Sequence, residues 1–341
     1  MKIKSMVLLL LLGSATVMAQ EDKSVNLSVE ARGDYQRTSV DGETLKDECG
    51  FKGNLVNLKL DGNISRDFSY GYRQRLNGIN KDKTFFDATD WLYLNYQATE
   101  NLALSAGKNV VLVGGWEFEA APIDCYFLSE FCYNFACYQW GGSVIVNTTD
   151  KKDDLTFQLC QSPFQKHYTA TTGKSADMYS FSLMWHGRHG FFEPLWSVNM
   201  MEYEPGKYIN YIALGSKFHV GNRMQIDFDY MNRAVSGHAF WGRDCTVIGR
   251  VSVQPSDKLN LFVKASYDVN QTDKTADACV LNGTEVTRVG AGFEYFPLGN
   301  NKVRLHGNYC YSFGKNTNPG GTLQDKLSIF DFGVSWRVKL L

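Results

Sequence analysis

The sequence predicts an all-β protein, an antiparallel up-and-down β-barrel of about 16 strands that crosses a membrane. Three observations lead to this fold class. Segments of about ten residues alternate apolar and polar side chains, the links between them are alternately tight and long, and no apolar segment after the N-terminus is long enough for a membrane helix. A barrel suits such strands because its closure leaves no unpaired backbone group in lipid.

The composition excludes several other classes of protein. The chain has 341 residues, of which 35 are Lys or Arg and 36 are Asp or Glu, and its formal charge is −1. This balance excludes a strongly basic nucleic-acid-binding protein, and an apolar content of 44% excludes a disordered chain. Aromatic residues make up 14% of the chain, and their side chains pack well on the pleated surface of a sheet.

The N-terminus has the pattern of a secretory signal peptide. Lysines in the first four residues precede an apolar run, Val7–Leu12, and small residues stand where cleavage after Ala19 requires them. The alternative is a membrane-anchoring helix, but this run is much shorter than the roughly 20 apolar residues that span a bilayer. We therefore predict a signal peptide at residues 1–19 and a barrel at 20–341, exported to the outer membrane of a Gram-negative-type envelope.

Sixteen candidate strands follow the predicted signal peptide. In one of them, Leu261 and Val263 lie on one face while Lys264 and Asp268 lie on the other. The candidate strands are 24–36, 52–63, 67–77, 87–97, 101–109, 138–148, 154–162, 177–187, 190–202, 207–219, 222–233, 244–254, 258–269, 285–296, 302–313 and 327–340. Tight links on one rim and long loops on the other are typical of outer-membrane barrels. Fourteen or eighteen strands also fit, because boundaries read from a sequence are uncertain by a few residues.

Charged side chains on the polar strand faces indicate that the interior of the barrel contains water. A barrel of this size leaves a water-filled channel, and a charge in lipid costs several kcal/mol, so these side chains are expected to face the channel. The basic ones are Lys59, Arg73, Arg75, Lys217, Arg250, Lys264, Arg288, Arg304, Arg337 and Lys339. The acidic ones are Asp61, Asp227, Asp229, Asp268, Glu294 and Asp331. This excess of positive charge favours a mild preference for anions; the alternative is a mixed-sign wall without selectivity.

The longest link, residues 110–137, has an unusual composition for a loop in water. It is rich in apolar and aromatic residues, and no basic residue lies between Lys108 and Lys151. Its predicted constriction acids are Glu117, Glu119, Asp124 and Glu130. We predict that this third long loop folds into the barrel and faces Arg73 and Arg75, which lie two apart on one strand face. The alternative is a surface flap that contacts a partner subunit or acts as a lid.

Three short segments carry a resemblance to a known family. Leu102–Lys108, Val113–Gly115 and Ala121–Asp124 resemble the region around the constriction loop of the phosphate-selective porins, and general trimeric porins share this third-loop design. The resemblance implies a sixteen-stranded trimeric barrel that passes anions.

No catalytic or cofactor motif accompanies these features. The six histidines are scattered, and no Gly-rich phosphate loop links a strand to a helix. The spacing of Cys125, Cys132 and Cys137 is not that of a zinc site, so disulfides and free thiols are the main alternatives for the eight cysteines. We therefore predict no enzyme activity, no cofactor and no metal.

The sequence as a whole favours an outer-membrane porin. We expect passive diffusion of small hydrophilic solutes or anions, contact with outer-membrane lipid, a homotrimer and no nucleic-acid partner. Two alternatives belong to other classes: an exported soluble β-sandwich that binds carbohydrate, and a structural or adhesin-like barrel whose lumen is blocked.

Overall fold

The computed structural model describes residues 24–79, 84–235, 241–273, 275–317 and 324–341. The predicted signal peptide therefore lies outside the described residues. These described residues form sixteen long strands and one two-residue strand, Glu43–Thr44. The long strands are β1 (Val25–Val40), β2 (Gly50–Asn63), β3 (Phe68–Arg75), β4 (Thr89–Gln97), β5 (Leu102–Val110), β6 (Tyr138–Asn147), β7 (Asp153–Gln161), β8 (Tyr179–Gly187), β9 (Phe192–Glu204), β10 (Lys207–Val220), β11 (Met224–Val235), β12 (Asp244–Ser256), β13 (Leu259–Asn270), β14 (Thr284–Tyr295), β15 (Val303–Lys315) and β16 (Leu327–Lys339).

The strands form one closed antiparallel barrel. Each long strand pairs with its neighbours in the chain, and β1 pairs with both β2 and β16, so that Ala31 lies between Val56 and Trp336. Closure gives every strand a partner on both sides, which removes the edges that lipid could not satisfy. The predicted fold class is confirmed, and the single closed sheet excludes the alternative of a two-sheet sandwich.

The two faces of each strand differ as the alternation predicts. On β13, Leu261 and Val263 point outward and are 44% and 54% exposed, whereas Lys264 and Asp268 point inward and are buried. The outward face therefore offers apolar side chains to lipid, and the inward face collects the polar and charged ones.

In the described ranges, the helices are short and lie in the links. They are α1 (Trp116–Glu119), α2 (Glu130–Asn134) and α3 (Gln165–Thr172), with 3₁₀ turns at Lys46–Glu48, Leu76–Gly78 and Pro122–Asp124. Among the described residues, no helix is both long enough and apolar enough to cross a membrane.

An apolar core lies inside the barrel, against one side of its wall. Phe131 and Phe135 from the third long loop pack on Tyr211 of β10, together with Val111 and Met201. Fully burying one such side chain stabilises a fold by roughly 1.5–3 kcal/mol. The predicted inward fold of the third long loop is therefore confirmed, and the alternative of a surface flap is wrong. We call residues 111–137 the constriction loop.

A second loop also turns inward, which the sequence analysis did not predict. In residues 275–283, Cys279 and Val280 are buried in the same apolar core. Asn134 of the constriction loop donates a hydrogen bond to the Cys279 carbonyl at 3.0 Å. This segment, the brace loop, therefore packs directly against the constriction loop.

Candidate pore constriction

The constriction loop approaches the barrel wall closely where it leaves β5. The Gly114 N–H donates to the hydroxyl of Ser197 on β9 at 2.8 Å. A Cβ at Gly114 would lie 2.5 Å from the Leu195 carbonyl oxygen, so only glycine allows this approach. The absence of a side chain at Gly114 thus allows the backbone of the loop to pack directly against the barrel wall.

Two wall aspartates hold the helices of the constriction loop. Asp229 on β11 accepts hydrogen bonds from the Trp116 and Glu117 N–H groups, both at 2.8 Å. Asp268 on β13 accepts from the Glu130 N–H at 2.9 Å. The first N–H groups of a helix have no partner within the helix, and an adjacent carboxylate also interacts favourably with the helix dipole. Asp229 and Asp268 therefore cap α1 and α2 from the barrel wall.

The acids of the constriction loop bind cations on the same wall, not Arg73 and Arg75. Glu117 pairs with Lys264 on β13 at 2.5 Å. Asp124 pairs with Arg304 on β15 at 2.5 Å and with Arg337 on β16 at 2.6 Å.

The other two predicted acids have different environments. Glu130 is buried, and one of its carboxylate oxygens accepts a hydrogen bond from Asn134 at 2.9 Å. Glu119 is exposed. Glu117 lines one cavity with Arg75, so the predicted opposition of loop and wall stays a prediction. The loop follows β9–β16, where cations pair with Glu117 and Asp124. Strand parity shows which side chains point inward but not which strands a loop reaches.

Arg73 and Arg75 lie on β3, in the part of the wall that the constriction loop does not cover. Arg73 is 2% exposed, with its guanidinium 3.6 Å from the ring centre of Trp91 and its Nε 2.9 Å from Asp90. Tyr138 accepts a further hydrogen bond from Arg73. Arg75 pairs with the same Asp90 at 3.2 Å, but its side chain is 35% exposed. Two guanidinium groups thus share one carboxylate, and Arg75 is the one open to water.

A cavity of about 990 Å³ separates this part of the wall from the constriction loop. Arg75 and Asp90 line it from the wall, and Ala120 and Cys125 line it from the loop. A second cavity, of about 860 Å³, lies near the tight links and includes Arg250.

The sequence matches a family model, described as phosphate-selective porin O and P, over residues 25–243. This match covers more than half of the chain. The chain belongs to this family of porins. No curated protein matches the sequence significantly.

Solved porins share the fold of this porin at low sequence identity. An anion-selective porin from Comamonas acidovorans has a TM-score of 0.65 at 10% identity, covering 93% of this chain and 100% of that chain. The outer-membrane channel DcaP of Acinetobacter baumannii has a TM-score of 0.64 at 15% identity, covering 95% and 100%. OmpT of Vibrio cholerae has a TM-score of 0.61 at 12% identity, also covering 95% and 100%.

Four more of the predicted lumen cations of this porin contact residues of the barrel interior or of the constriction loop. Lys59 lies 4.0 Å from Glu30 on β1, and Lys217 lies 3.3 Å above the ring of Trp116. Arg250 donates to the Ser252 hydroxyl at 3.1 Å. Arg288 donates to the Leu128 carbonyl of the constriction loop at 3.0 Å.

Several charged residues of the interior were missed from the sequence. Arg32 on β1 pairs with Asp34 at 2.8 Å and also donates to the Cys125 carbonyl. The alternation of charges along β1 could have found this pair. The buried pair of Arg233 and Asp277, 2.7 Å apart, had no such signal, because the brace loop shows no periodicity.

Cysteines and metal ligands add no further site. The eight cysteines, all within the described ranges, are free thiols. In that same part of the chain, no group of three or more His, Cys, Asp or Glu side chains could hold a metal ion.

The docking of Asp124 should depend on pH. Burial alone raises the pKa of this carboxyl, but Arg304 and Arg337 outweigh burial and hold the pKa below its ordinary value of 3.8. Such a carboxylate stabilises the docked loop above the ordinary pKa, and this contribution is lost as the pH falls through the lowered value. We expect single-channel conductance to stay constant from neutral pH down to about pH 4 and to become larger and noisier below it.

A matched variant isolates this effect from the other carboxyls. Asp124→Asn should show the larger, noisier current at every pH and lack the change at acid pH. A change in wild-type conductance that is complete between pH 7 and pH 5 would contradict this assignment.

Proposed function

We propose that this porin lets small hydrophilic solutes diffuse through an eyelet between the constriction loop and β2–β4, with a mild preference for anions. The family and the fold are those of an outer-membrane channel rather than an enzyme. The observation that carries the anion preference is the pairing of Arg73 and Arg75 with the single carboxylate of Asp90.

The charge balance around the eyelet supports this preference. Arg73, Arg75 and Asp90 together leave one positive charge, and Arg75 presents it to the cavity. Two carboxylates that line the same cavity have other cations: Glu117 binds Lys264, and Asp87 binds Lys166 at 2.5 Å. A basic group that faces carboxylates already bound to other cations favours anions.

Assembly and export form part of the same proposal. A trimer form of OmpT of Vibrio cholerae has a TM-score of 0.58 at 12% identity to this porin, which is consistent with a homotrimer here. The N-terminal pattern is consistent with a signal peptide cleaved after Ala19. Residues such as Leu261 and Val263 on the outward face would contact outer-membrane lipid.

The experiment that tests this proposal is the reversal potential of Arg75→Ala across a salt gradient. Removing one charge about 8 Å from a passing ion changes its energy in water by about 0.5 kcal/mol. This energy change should lower the permeability to anions about twofold and raise the permeability to cations about twofold. The anion preference should therefore disappear at about 0.1 M salt.

The control is Lys207→Ala, which removes an exposed cation paired with Glu204 at the outer rim. It should leave the reversal potential unchanged. A wild-type channel that prefers cations, with no shift in Arg75→Ala, would overturn the anion preference. Wild-type protein that gives no conductance steps would favour the blocked barrel instead.

A further inference from the structure

Arg288 differs from the other interior cations in its hydrogen bonds. Its side chain is 3% exposed, and only Nη1 is bound, to the Leu128 carbonyl. Nε and Nη2 have no hydrogen-bond partner among the residues that the structure describes. These two groups form the edge of a guanidinium that binds both oxygens of a carboxylate or phosphate side by side. Arg288 thus keeps its bidentate edge unused.

Arg288 belongs to the wall of the pore cavity, and its Nε and Nη2 are themselves buried. Arg288 lines the cavity of about 990 Å³ together with Arg75 and residues of the constriction loop. The hydroxyl of Ser266, directly opposite Arg288 in the pairing of β13 with β14, also has no partner in the described part of the chain. Arg288 and Ser266 thus place unpartnered polar groups opposite each other on neighbouring strands.

Apolar side chains form one part of the cavity that Arg288 lines. The same cavity is lined by Phe127 and Leu128 of the constriction loop and by Cys310 and Ile329 of the wall. The ring of Phe127 lies over Gly290, where an added Cβ would come within 2.7 Å of it. An apolar group can therefore pack beside the guanidinium.

Charge in this region limits the ligand to one negative group. Asp331 lines the same cavity, and its Oδ1 has no partner among the described residues. Its carboxylate lowers the affinity for a second negative charge. A dianion such as phosphate is therefore disfavoured, whereas a monoanion with an apolar body matches both the single guanidinium and its neighbours.

We propose that Arg288 is a binding station for small organic monocarboxylates that pass through the pore. This inference rests on the proposed channel function. The carboxylate accepts hydrogen bonds from Nε and Nη2, and the hydrocarbon part contacts Phe127 and Leu128. The residue thereby determines a specificity for apolar acids that simple charge selection by Arg75 does not provide.

The test is inhibition of single-channel chloride current by butyrate, with inorganic phosphate as the second probe. In the wild type, butyrate should reduce the current saturably and at lower concentration than phosphate. Arg288→Lys keeps the charge but loses the planar edge, so the inhibitory concentration of butyrate should rise about tenfold while the preference for anions is retained. Arg37→Lys, at an exposed arginine on β1, is the matched control and should behave as the wild type.

A second variant keeps the proposal testable if Arg288→Lys does not fold. Asp331→Asn retains Arg288 and removes the repelling charge, so butyrate and phosphate should both inhibit at lower concentration. The proposal is overturned if a conducting, anion-preferring wild type shows no saturable inhibition by butyrate, if phosphate inhibits more strongly than butyrate, or if Arg288→Lys leaves inhibition unchanged. Absence of wild-type conductance, or a preference for cations, would instead count against the proposed function.

Discussion

The double variant Asp229→Ala/Asp268→Ala should give a channel with a larger and noisier single-channel current. These two carboxylates accept hydrogen bonds from the first N–H groups of α1 and α2. A hydrogen bond to a charged group contributes roughly 1.5–3 kcal/mol, so their loss removes several kcal/mol from the docking of the constriction loop. The barrel itself should persist, because its strand pairing does not depend on these side chains.

A neighbouring aspartate on the same strand provides the control for this experiment. Asp227 also points inward on β11, but its described side-chain hydrogen bonds are to Gln225 and not to the constriction loop. Asp227→Ala should therefore leave the current noise near the wild-type level. Asp229→Asn/Asp268→Asn keeps one accepting oxygen at each position and should restore part of the wild-type behaviour. Unchanged conductance and noise in the double alanine variant would show that the apolar core alone holds the loop.

Arg233→Met should release the brace loop. The guanidinium of Arg233 is fully buried and lies 2.7 Å from Asp277 and 3.4 Å from Asp244. Removing one partner of a buried ion pair leaves uncompensated charge and costs about 3–5 kcal/mol. Because Asp277 is near Cys279 in the chain, the thiol of Cys279 should become accessible.

The measurement is the rate at which a water-soluble maleimide modifies Cys279, followed by mass spectrometry of the cysteine peptides. Burial raises the pKa of Cys279 well above the ordinary value, so the wild-type rate should be very low. A cost of about 3 kcal/mol should raise the rate by about a hundredfold. Lys326→Met, which breaks an exposed pair with Asp41, is the control and should have no effect. Equal rates in Arg233→Met and wild type would contradict the proposed role of the pair.

The strands and their two faces could be predicted from the sequence because alternation is a local property. Lys264 and Asp268 lie an even number of residues apart on β13, so both point to the face opposite Leu261 and Val263. Parity therefore identified the inward cations without any knowledge of their partners. The inward fold of the constriction loop was likewise predictable, because side chains such as Phe131 need burial.

The partners of those side chains could not be predicted in this way. Parity suggested that Arg73 and Arg75 face the acids of the constriction loop, but the two arginines bind Asp90 instead. Asp90 lies at the start of β4, where the pairing with β3 shifts register, and such a shift changes which side chains meet. The brace loop was missed because it lacks periodicity and because its apolar run, residues 278–281, is short.

The sequence by itself determined that this chain forms a barrel with an apolar exterior, a charged interior and a long loop that folds inward. Only the tertiary structure decided that Asp229 caps the helix at Trp116, that Asp124 binds Arg337, and that the bidentate edge of Arg288 is unused. The physical reason is distance along the chain. The face to which a strand side chain points depends on its position in the local alternation. The contacts of Asp229 and Asp124, by contrast, join residues more than 100 positions apart and exist only once the barrel has closed.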